Sequence, residues 1–366
     1  MKNPLTQLVQ SLIRPEIRAL SAYHVPDARG LIKLDAMENP YTWPPEIIDS
    51  WLARLRDASL NRYPDPAPQA LCASLKAGMA VPEGCAVLLG NGSDELIQMI
   101  ALALSGPGRV LLTPEPGFAM YRIIADIAAM TYVGVPLVDD FALDRAAMLR
   151  AIEQHQPAVI FLAYPNNPTG NLFDDDSVRA VIEAAPGLVV LDEAYHAFAA
   201  RSWMPQLPHY PNLLVMRTLS KMGLAGLRLG LLAGAPLWLD EFNKLRLPYN
   251  INVLTQISAA FALEHAALLD EQTTRIRTAR ELLLREMQTL PGITAYPSQA
   301  NFILFRAGSG RGPALFETLK QAGILIKNMH ASNPALRDCL RVTVGTTREN
   351  EAFTSALRAA LTPENT

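Results

Sequence analysis

The sequence has few cysteines, few histidines and no long apolar run. Its 366 residues include three cysteines, and none of them forms a C-x-x-C pair. A few scattered cysteines argue against a disulfide framework and favour buried thiols in a reducing compartment. The six histidines show no metal-ligand spacing, so no metal site is predicted. No apolar run reaches the roughly 18 residues that span a bilayer, and the N-terminus lacks the apolar core of a signal peptide.

An excess of charge of one sign is also missing. The formal net charge is −3 at pH 7, and no dense basic segment occurs. A nucleic-acid-binding surface is therefore not predicted, and neither is a membrane partner. Half of the residues are apolar, and a chain of this length builds its core without disulfide or metal staples. We expect a cytoplasmic globular protein of more than one domain.

Short apolar segments alternate with segments of helical periodicity between about residues 70 and 235. Strands are predicted at 86–89, 109–112, 131–135, 159–163, 188–191, 213–216 and 229–233, with helices between several of them, such as 94–104 and 174–185. Strands that are apolar throughout are buried on both faces. Their alternation with helices predicts a mostly parallel α/β sheet, which binds ligands beyond the carboxyl ends of its strands.

The regions on either side have a different pattern. Prolines at 4, 15, 26, 40, 44 and 45 interrupt the N-terminus, which has one candidate edge strand at 32–34. A long helical pattern at 253–290 precedes strands at 301–305, 324–327 and 340–344 and helices at 313–322 and 349–361. We therefore predict an N-terminal arm, a large α/β domain and a small α+β domain that packs with the arm, at 1–45, 46–250 and 251–366.

The segment 217–228 combines groups that suit an aldehyde cofactor carrying a phosphate. Lys221 follows Thr218 and Ser220, and Arg228 comes seven residues later. The amine would condense with the aldehyde, while the hydroxyls and the guanidinium would hold the phosphate. A lysine alone is more often a solvated surface residue, so this interpretation depends on its neighbours.

Two further motifs lie in loops that follow predicted strands. In GNGSDE, at 90–95, a helix N-terminus at Ser93 and Asp94 offers free N–H groups to a phosphate, although an ordinary helix cap explains the same residues. In PNNPTG, at 165–170, a rigid turn holds the amide of Asn167 in place. Turn chemistry alone accounts for that motif too, unless the amide binds a cofactor oxygen.

A third motif, DEAY, follows the strand at 188–191. Asp192 would present a carboxylate to a pyridine nitrogen, and Tyr195 would reach the same ring. A helix cap or a surface acid is the simpler alternative. The intervals between Asn167, Asp192 and Lys221 each suit a strand and its return, so all three would meet at one sheet edge.

In order, the strings PNNPTG, DEAY, TLSK and GLRLG resemble the fold type I, pyridoxal-5′-phosphate (PLP)-dependent aminotransferases of the class I/II group. The strings GSDEL, NRYPD, LPYNIN and LRVTVGTTREN are similar to the histidinol-phosphate aminotransferase family within that group. The resemblance covers nearly the whole chain. It implies a seven-stranded, mostly parallel sheet, a homodimer with shared sites, and amino transfer from L-histidinol phosphate to 2-oxoglutarate in histidine biosynthesis.

The resemblance also implies roles for individual residues. Lys221 is implied as the catalytic amine, Asp192 as the partner of the pyridine nitrogen, and Asn167 and Tyr195 as ligands of the phenolic oxygen. Further implied cofactor contacts are Ser93, Asp94, Thr218, Ser220 and Arg228 at the phosphate, Phe118 on the ring, and Tyr63 from the neighbouring subunit. The implied substrate contacts are Arg341 at the anionic group, with Tyr23, Asn39, Tyr249 and Asn250.

The sequence departs from the family pattern in three places. Phe118 stands where a tyrosine is usual, which keeps the stacking ring and loses a hydroxyl. Met37 replaces an asparagine that many relatives carry, and the turn between Lys221 and Arg228 is one residue shorter than in many relatives. Two alternatives on the same fold are an aromatic amino-acid aminotransferase and a threonine-phosphate decarboxylase. A non-catalytic PLP-binding regulator is disfavoured, since such a protein needs a DNA-binding domain and the first 45 or so residues here are interrupted by prolines.

Overall fold

The computed structural model describes residues 3–22 and 25–362. The N-terminal elements are α1 (Pro4–Leu12), α2 (Pro15–Ala19), β1 (Ile32–Lys33), α3 (Pro45–Leu55) and α4 (Gln69–Gly78). Three of these helices, α1, α2 and α3, have a proline in their first turn, where its missing N–H leaves no intrahelical bond unmade. The prolines that were expected only to interrupt the arm therefore also begin short helices.

Alternating strands and helices build the seven-stranded sheet. Its elements are β2 (Ala86–Gly90), α5 (Ser93–Leu104), β3 (Val110–Glu115), α6 (Met120–Ile127), β4 (Thr131–Pro136), α7 (Arg145–His155), β5 (Val159–Ala163), α8 (Asp175–Ala184), β6 (Leu188–Asp192), β7 (Leu213–Thr218), β8 (Gly230–Gly234) and α9 (Pro236–Asn243). The strand order is β2-β8-β7-β6-β5-β3-β4. Strand β8 is antiparallel to both neighbours, and the other pairings are parallel. The predicted mostly parallel sheet is confirmed.

The central strands of this sheet are buried on both faces. On β5, Ile160 and Leu162 pack into one apolar core, whereas Val159 and Phe161 pack into the core on the opposite face. Continuous apolar runs are therefore required, as the sequence indicated. Since β5, β6 and β7 are parallel, their carboxyl ends lie at one edge, where polar side chains are tolerated.

The C-terminal elements form a second layer. They are α10 (Val253–Glu264), α11 (Ala266–Gln288), β9 (Ile293–Ala295), β10 (Phe302–Ala307), α12 (Gly312–Gln321), β11 (Ile324–Leu325), β12 (Lys327–Asn328), β13 (Cys339–Thr343) and α13 (Thr347–Leu361). An antiparallel sheet has the order β12-β13-β10-β9, and α11, α12 and α13 cover its core. Short 3₁₀ turns complete the fold at His196–Phe198, Met204–His209, Ser220–Met222, Ala225–Leu227 and Pro334–Leu336.

Two predicted elements are each divided in the structure. The helix expected over 253–290 breaks at His265, whose backbone leaves the helical region (φ −112°, ψ 30°) while its ring packs on Phe261. The strand expected over 324–327 becomes β11, which pairs with β1, and β12, which pairs with β13. Strand propensity does not specify a partner, so the change of sheet was not visible in the sequence.

The arm is joined to the C-terminal layer. Strand β1 pairs in parallel with β11, and the amide of Thr343 donates to the carbonyl of Leu34 at 2.8 Å. This pairing carries residues 35–37 towards the edge of the large sheet.

Helix α10 buries Ala259 and Ala262 in the core of the large sheet. No helix in the described ranges combines the length and hydropathy required to cross a bilayer.

Candidate active site

A cavity lies at the carboxyl ends of the parallel strands, between the large sheet and the arm. Its walls come from loops that follow β2, β3, β5, β6 and β7. The lining residues are Met37, Ser93, Asp94, Phe118, Ala163, Asn167, Asp192, Ala194, Tyr195, Thr218, Ser220, Lys221 and Arg228. Most of the predicted cofactor contacts are thus brought together around one space.

Lys221 projects into this cavity from the 3₁₀ turn Ser220–Met222. Its amine donates one long hydrogen bond, 3.4 Å, to the carbonyl of Ala36. Burial lowers the pKa of Lys221 to about 8, and the nearby Arg341 and Arg228 cations add to that effect. A lowered pKa increases the neutral fraction of the amine at physiological pH, which is the form that attacks a carbonyl carbon.

Hydroxyl and guanidinium groups cluster at one end of the cavity. The Thr218 and Ser220 hydroxyls lie 2.9 Å apart, and Arg228 donates to Ser220 at 3.2 Å. Arg228 also pairs with Asp94 at 3.5 Å. Gly92, beside the guanidinium, has a φ of +86°, a left-handed backbone conformation that favours glycine. With the free N–H groups at the start of α5, this end suits a phosphate.

Asp192 is the last residue of β6 and is 4% exposed. One carboxylate oxygen accepts from the amide of Ala194 at 3.1 Å, and the other accepts from the Tyr121 hydroxyl at 2.8 Å. Burial raises the pKa of Asp192 to about 6, although both hydrogen bonds act to lower it. Its oxygens retain acceptor capacity towards the cavity, because a carboxylate has about four acceptor positions.

A chain of hydrogen bonds crosses the side of the cavity from β13 to the arm. Arg341 donates to the Asn167 carbonyl oxygen at 2.6 Å and to the carbonyl of Asp35 at 3.0 Å. The Asn167 amide donates to the Tyr195 hydroxyl at 3.1 Å, and that hydroxyl donates to the sulfur of Met37 at 3.2 Å. Arg341 is 6% exposed. Arg341 is therefore hydrogen-bonded to the Asn167 side chain, one predicted ligand of the phenolic oxygen, and through it connects to Tyr195, the other.

Other predicted residues lie away from this cavity. Tyr63 is 80% exposed and stacks on Tyr249 with ring centroids 4.4 Å apart. The Asn250 amide donates to Glu95 at 2.8 Å, beneath the loop that carries Ser93. Asn39 bonds to Gln272 at 3.0 Å. The structure brings none of these four into the cavity of the same chain, and Tyr23 lies outside the described residues.

Two polar residues beside the site were not among those predicted from the sequence. Tyr121 reaches Asp192 from α6, and its position three residues after Phe118 was the only available signal. Lys327 is the direct cross-strand partner of Arg341 and lines a neighbouring cleft with Arg341, Met37 and Phe118. That contact depends on the register of β12 against β13, which the sequence does not reveal. Within the described ranges, no group of histidine, cysteine or acidic side chains is arranged to hold a metal ion.

The fold and this arrangement define the class of protein. The family model for "Aminotransferase class I and II" matches residues 29–357, and the chain belongs to that family.

Individual relatives are similar to this chain over nearly its whole length. The chain is 58% identical to histidinol-phosphate aminotransferase 2 of Nitrosococcus oceani over 96% of this chain and 98% of that protein. It is 52% identical to histidinol-phosphate aminotransferase 2 of Cupriavidus pinatubonensis over 97% and 98% of the two chains. The crystal structure of histidinol-phosphate aminotransferase from Sinorhizobium meliloti in complex with PLP superposes with a TM-score of 0.85. That structure has 25% identity and covers 96% of this chain and 98% of its own.

Proposed function

We propose that this protein is a PLP-dependent transaminase that exchanges the amino group of L-histidinol phosphate with the oxo group of 2-oxoglutarate. The products are imidazole-acetol phosphate and L-glutamate, and the pathway is histidine biosynthesis. The observation that carries the proposal is a single cavity that presents Lys221, Asp192 and the Asn167–Tyr195 pair together. The choice of substrate is based on the relatives at 52–58% identity, which are named histidinol-phosphate aminotransferases.

The donor set of the cavity fits PLP. Thr218, Ser220, Arg228 and the start of α5 would hold the phosphate. The Asp192 carboxylate would face the pyridine nitrogen, Asn167 and Tyr195 would bind the phenolic oxygen, and Phe118 would cover one face of the ring. Each polar group of the cofactor thus has a partner of complementary hydrogen-bonding character.

Bound PLP supplies an aldehyde that takes up the amino group and a ring that accepts the electron pair released at the substrate Cα. The residues of this chain orient and move protons around that chemistry. Lys221, with its lowered pKa, would take the proton from the substrate Cα at Nζ and deliver it to the carbon that carried the aldehyde of the cofactor. Asp192 would hold a proton on the ring nitrogen. The buried Asn167–Tyr195 pair would exclude water from the phenolic oxygen.

Arg341 and Lys327 would bind the anionic group of each substrate. L-histidinol phosphate carries a phosphate ester and no α-carboxylate, whereas glutamate carries the carboxylate. The arginine guanidinium can donate two hydrogen bonds to either anion in bidentate geometry, so one residue can serve both half-reactions. Met37 and Phe118 contribute apolar surface to the same cleft.

The central test replaces Lys221 with alanine. We expect the visible absorbance of the cofactor–lysine adduct to disappear and turnover to fall about a thousandfold or more, because Lys221 is the one lysine among the described residues that line the cavity. Full transaminase activity in Lys221→Ala would contradict the mechanism. A panel of histidinol phosphate, phenylalanine and threonine phosphate tests the substrate, and a preference for either of the last two would replace it with one of the alternatives.

We also propose a homodimer with shared active sites. Tyr63 and Tyr249 form an exposed aromatic pair, and Leu60 and Leu247 beside them in sequence are more than two-thirds exposed. A second subunit covering this surface would bring Tyr63 to the partner's phosphate site. Sedimentation of a stable, active monomer would rule this out.

The domain limits remain a proposal: an arm over 1–45, a PLP-binding domain over 46–250 and a small domain over 251–366. The β1–β11 pairing supports packing of the arm with the small domain. Helix α10 follows the second limit in the sequence, but its Ala259 and Ala262 pack in the core of the large sheet. Limited proteolysis that cut within these units rather than between them would contradict the limits.

A further inference from the structure

Tyr121 is fully buried on α6 and does not line the cofactor cavity. Its hydroxyl donates to one oxygen of Asp192 at 2.8 Å. The Asp192 carboxylate is the group that would face the pyridine nitrogen. Tyr121 therefore contacts Asp192, the proposed partner of the pyridine nitrogen, from the side opposite the cavity.

We propose that Tyr121 is a positioning residue that keeps the Asp192 carboxylate ionised and aimed at the cofactor, so that the proton stays on the pyridine nitrogen. The inference rests on the proposed PLP chemistry. It goes beyond that chemistry by assigning a role to a residue that touches neither cofactor nor substrate.

The aromatic surroundings of Tyr121 fix where its hydroxyl points. Its ring stacks on Phe161 with centroids 4.9 Å apart, and Phe118 meets it edge-on at 5.5 Å. Phe118 lines the cavity. Tyr121 thus connects the residue that would cover the ring face with the residue that would bind the ring nitrogen. A hydroxyl held by packing on two sides loses little further freedom when it donates to Asp192.

The direction of the effect follows from electrostatics. A hydrogen bond donated to a carboxylate stabilises its charged form, so the Tyr121 hydroxyl weakens Asp192 as a base. A weaker base competes less for the proton shared with the pyridine nitrogen. Without the hydroxyl, the proton would move towards Asp192 and the ring would become a poorer electron acceptor.

The other ionisable groups near Asp192 cannot supply this donor. Asp94 and Glu193 are acids that oppose its ionisation. Tyr195, on the cavity side, bonds to Asn167 and Met37 instead. Lys221 lines the cavity and donates to Ala36. Tyr121 is thus the hydroxyl that bonds to Asp192 within the described part of the chain.

The experiment compares Tyr121→Phe with the wild-type holoenzyme. Phenylalanine keeps the stacked ring and removes one hydroxyl, so the fold is retained. We expect PLP to bind about tenfold more weakly, the usual size for loss of a hydrogen bond to a charged group. In ¹⁵N spectra of labelled PLP, the pyridine nitrogen should shift towards its unprotonated position, a readout that does not depend on activity.

The matched control is Tyr164→Phe, which removes another buried hydroxyl that donates to a carboxylate, that of Asp175, at 2.8 Å. We expect Tyr164→Phe to lower the thermal stability as Tyr121→Phe does. Its PLP affinity and ¹⁵N shift should match those of wild type. A shift in this control as large as that in Tyr121→Phe would overturn the inference, because any lost buried hydroxyl would then produce the effect.

A double-mutant cycle with Asp192→Asn completes the test. Because Tyr121 acts through the carboxylate, its replacement should change PLP affinity less than twofold in the Asp192→Asn background. Equal losses in both backgrounds, or no loss in either, would overturn the inference while leaving the proposed function intact. Wild-type protein that took up no PLP would overturn both.

Discussion

Two adjacent carboxylates at the end of β6 have opposite surroundings. Asp192 faces the cofactor cavity, and Glu193 faces the other side of the sheet, where Arg217 and Ser202 line a separate cleft. Both acids are almost fully buried, with exposures of 4% and 0%. Successive residues of a strand point to opposite faces, so one motif supplies both the proposed functional acid and a structural one.

The hydrogen-bond partners of the two acids account for the difference. Glu193 accepts two bonds from Arg217, at 2.8 and 2.9 Å, and further bonds from the Ser202 hydroxyl and the Trp203 amide. Among the described residues, Asp192 accepts from two neutral donors, and no cation is bonded to it. The negative charge of Glu193 is balanced by Arg217 without a ligand. The negative charge of Asp192 is balanced only when a cation, such as a protonated pyridine, lies beside it.

The comparison predicts that the structural acid matters most for stability. Replacing Glu193 with glutamine leaves Arg217 buried without its counter-charge, and we expect the free energy of unfolding to fall by about 3–5 kcal/mol. Urea unfolding of the cofactor-free protein measures this. The double variant Glu193→Gln/Arg217→Met is the control, and it should lose less than Glu193→Gln alone. If the unfolding free energy of the single variant fell by less than about 1 kcal/mol, the ion pair would not be important for stability.

The functional acid is expected to behave in the opposite way. Its pKa rises from 3.8 to about 6 on folding, so the folded protein binds that proton more tightly than the unfolded chain does. The ionised carboxylate therefore destabilises the cofactor-free protein above pH 6, by roughly 1–3 kcal/mol. This cost shrinks between pH 6 and pH 4 and is absent at lower pH.

Asp192→Asn should accordingly stabilise the cofactor-free protein at pH 8 and have little effect near pH 4, while PLP binding and turnover weaken. Unfolding at both pH values, alongside PLP titration, separates the two effects. The same destabilisation at pH 8 and pH 4 would mean that Asp192 is a structural acid like its neighbour.

The smallest expected effect is that of Ser202→Ala. The Ser202 hydroxyl donates to Glu193 and accepts from Arg217 at 2.8 Å. Since the charged pair keeps its direct bonds, we expect a loss of about 1 kcal/mol in unfolding free energy and unchanged PLP affinity. A changed affinity would show that the two faces of the strand end are coupled.

Most of the fold, and the convergence of the proposed cofactor contacts on one cavity, could be predicted from the sequence. Apolar strands that recur between helices dictate a sheet buried on both faces. Its parallel strands must then end at one edge, which brings Asn167, Asp192 and Lys221 together. These predictions succeeded because they depend on local pattern and on the geometry common to parallel sheets. The short helices that begin at prolines had a local signal, proline in the first helical turn, that was taken only as an interruption. The break at His265, whose ring packs on Phe261, was also missed.

The sequence by itself determined which chemical groups the site contains, since DEAY, PNNPTG and TLSK place them at strand ends. Tertiary structure alone decided which of two neighbouring acids is paired, that Tyr121 lies behind Asp192, and that Lys327 lies opposite Arg341. The physical reason is that burial and hydrogen bonding depend on residues far apart in the chain. Of two adjacent carboxylates, Glu193 is paired with Arg217 and Asp192 accepts a hydrogen bond from Tyr121, and only the packed fold assigns those neighbours.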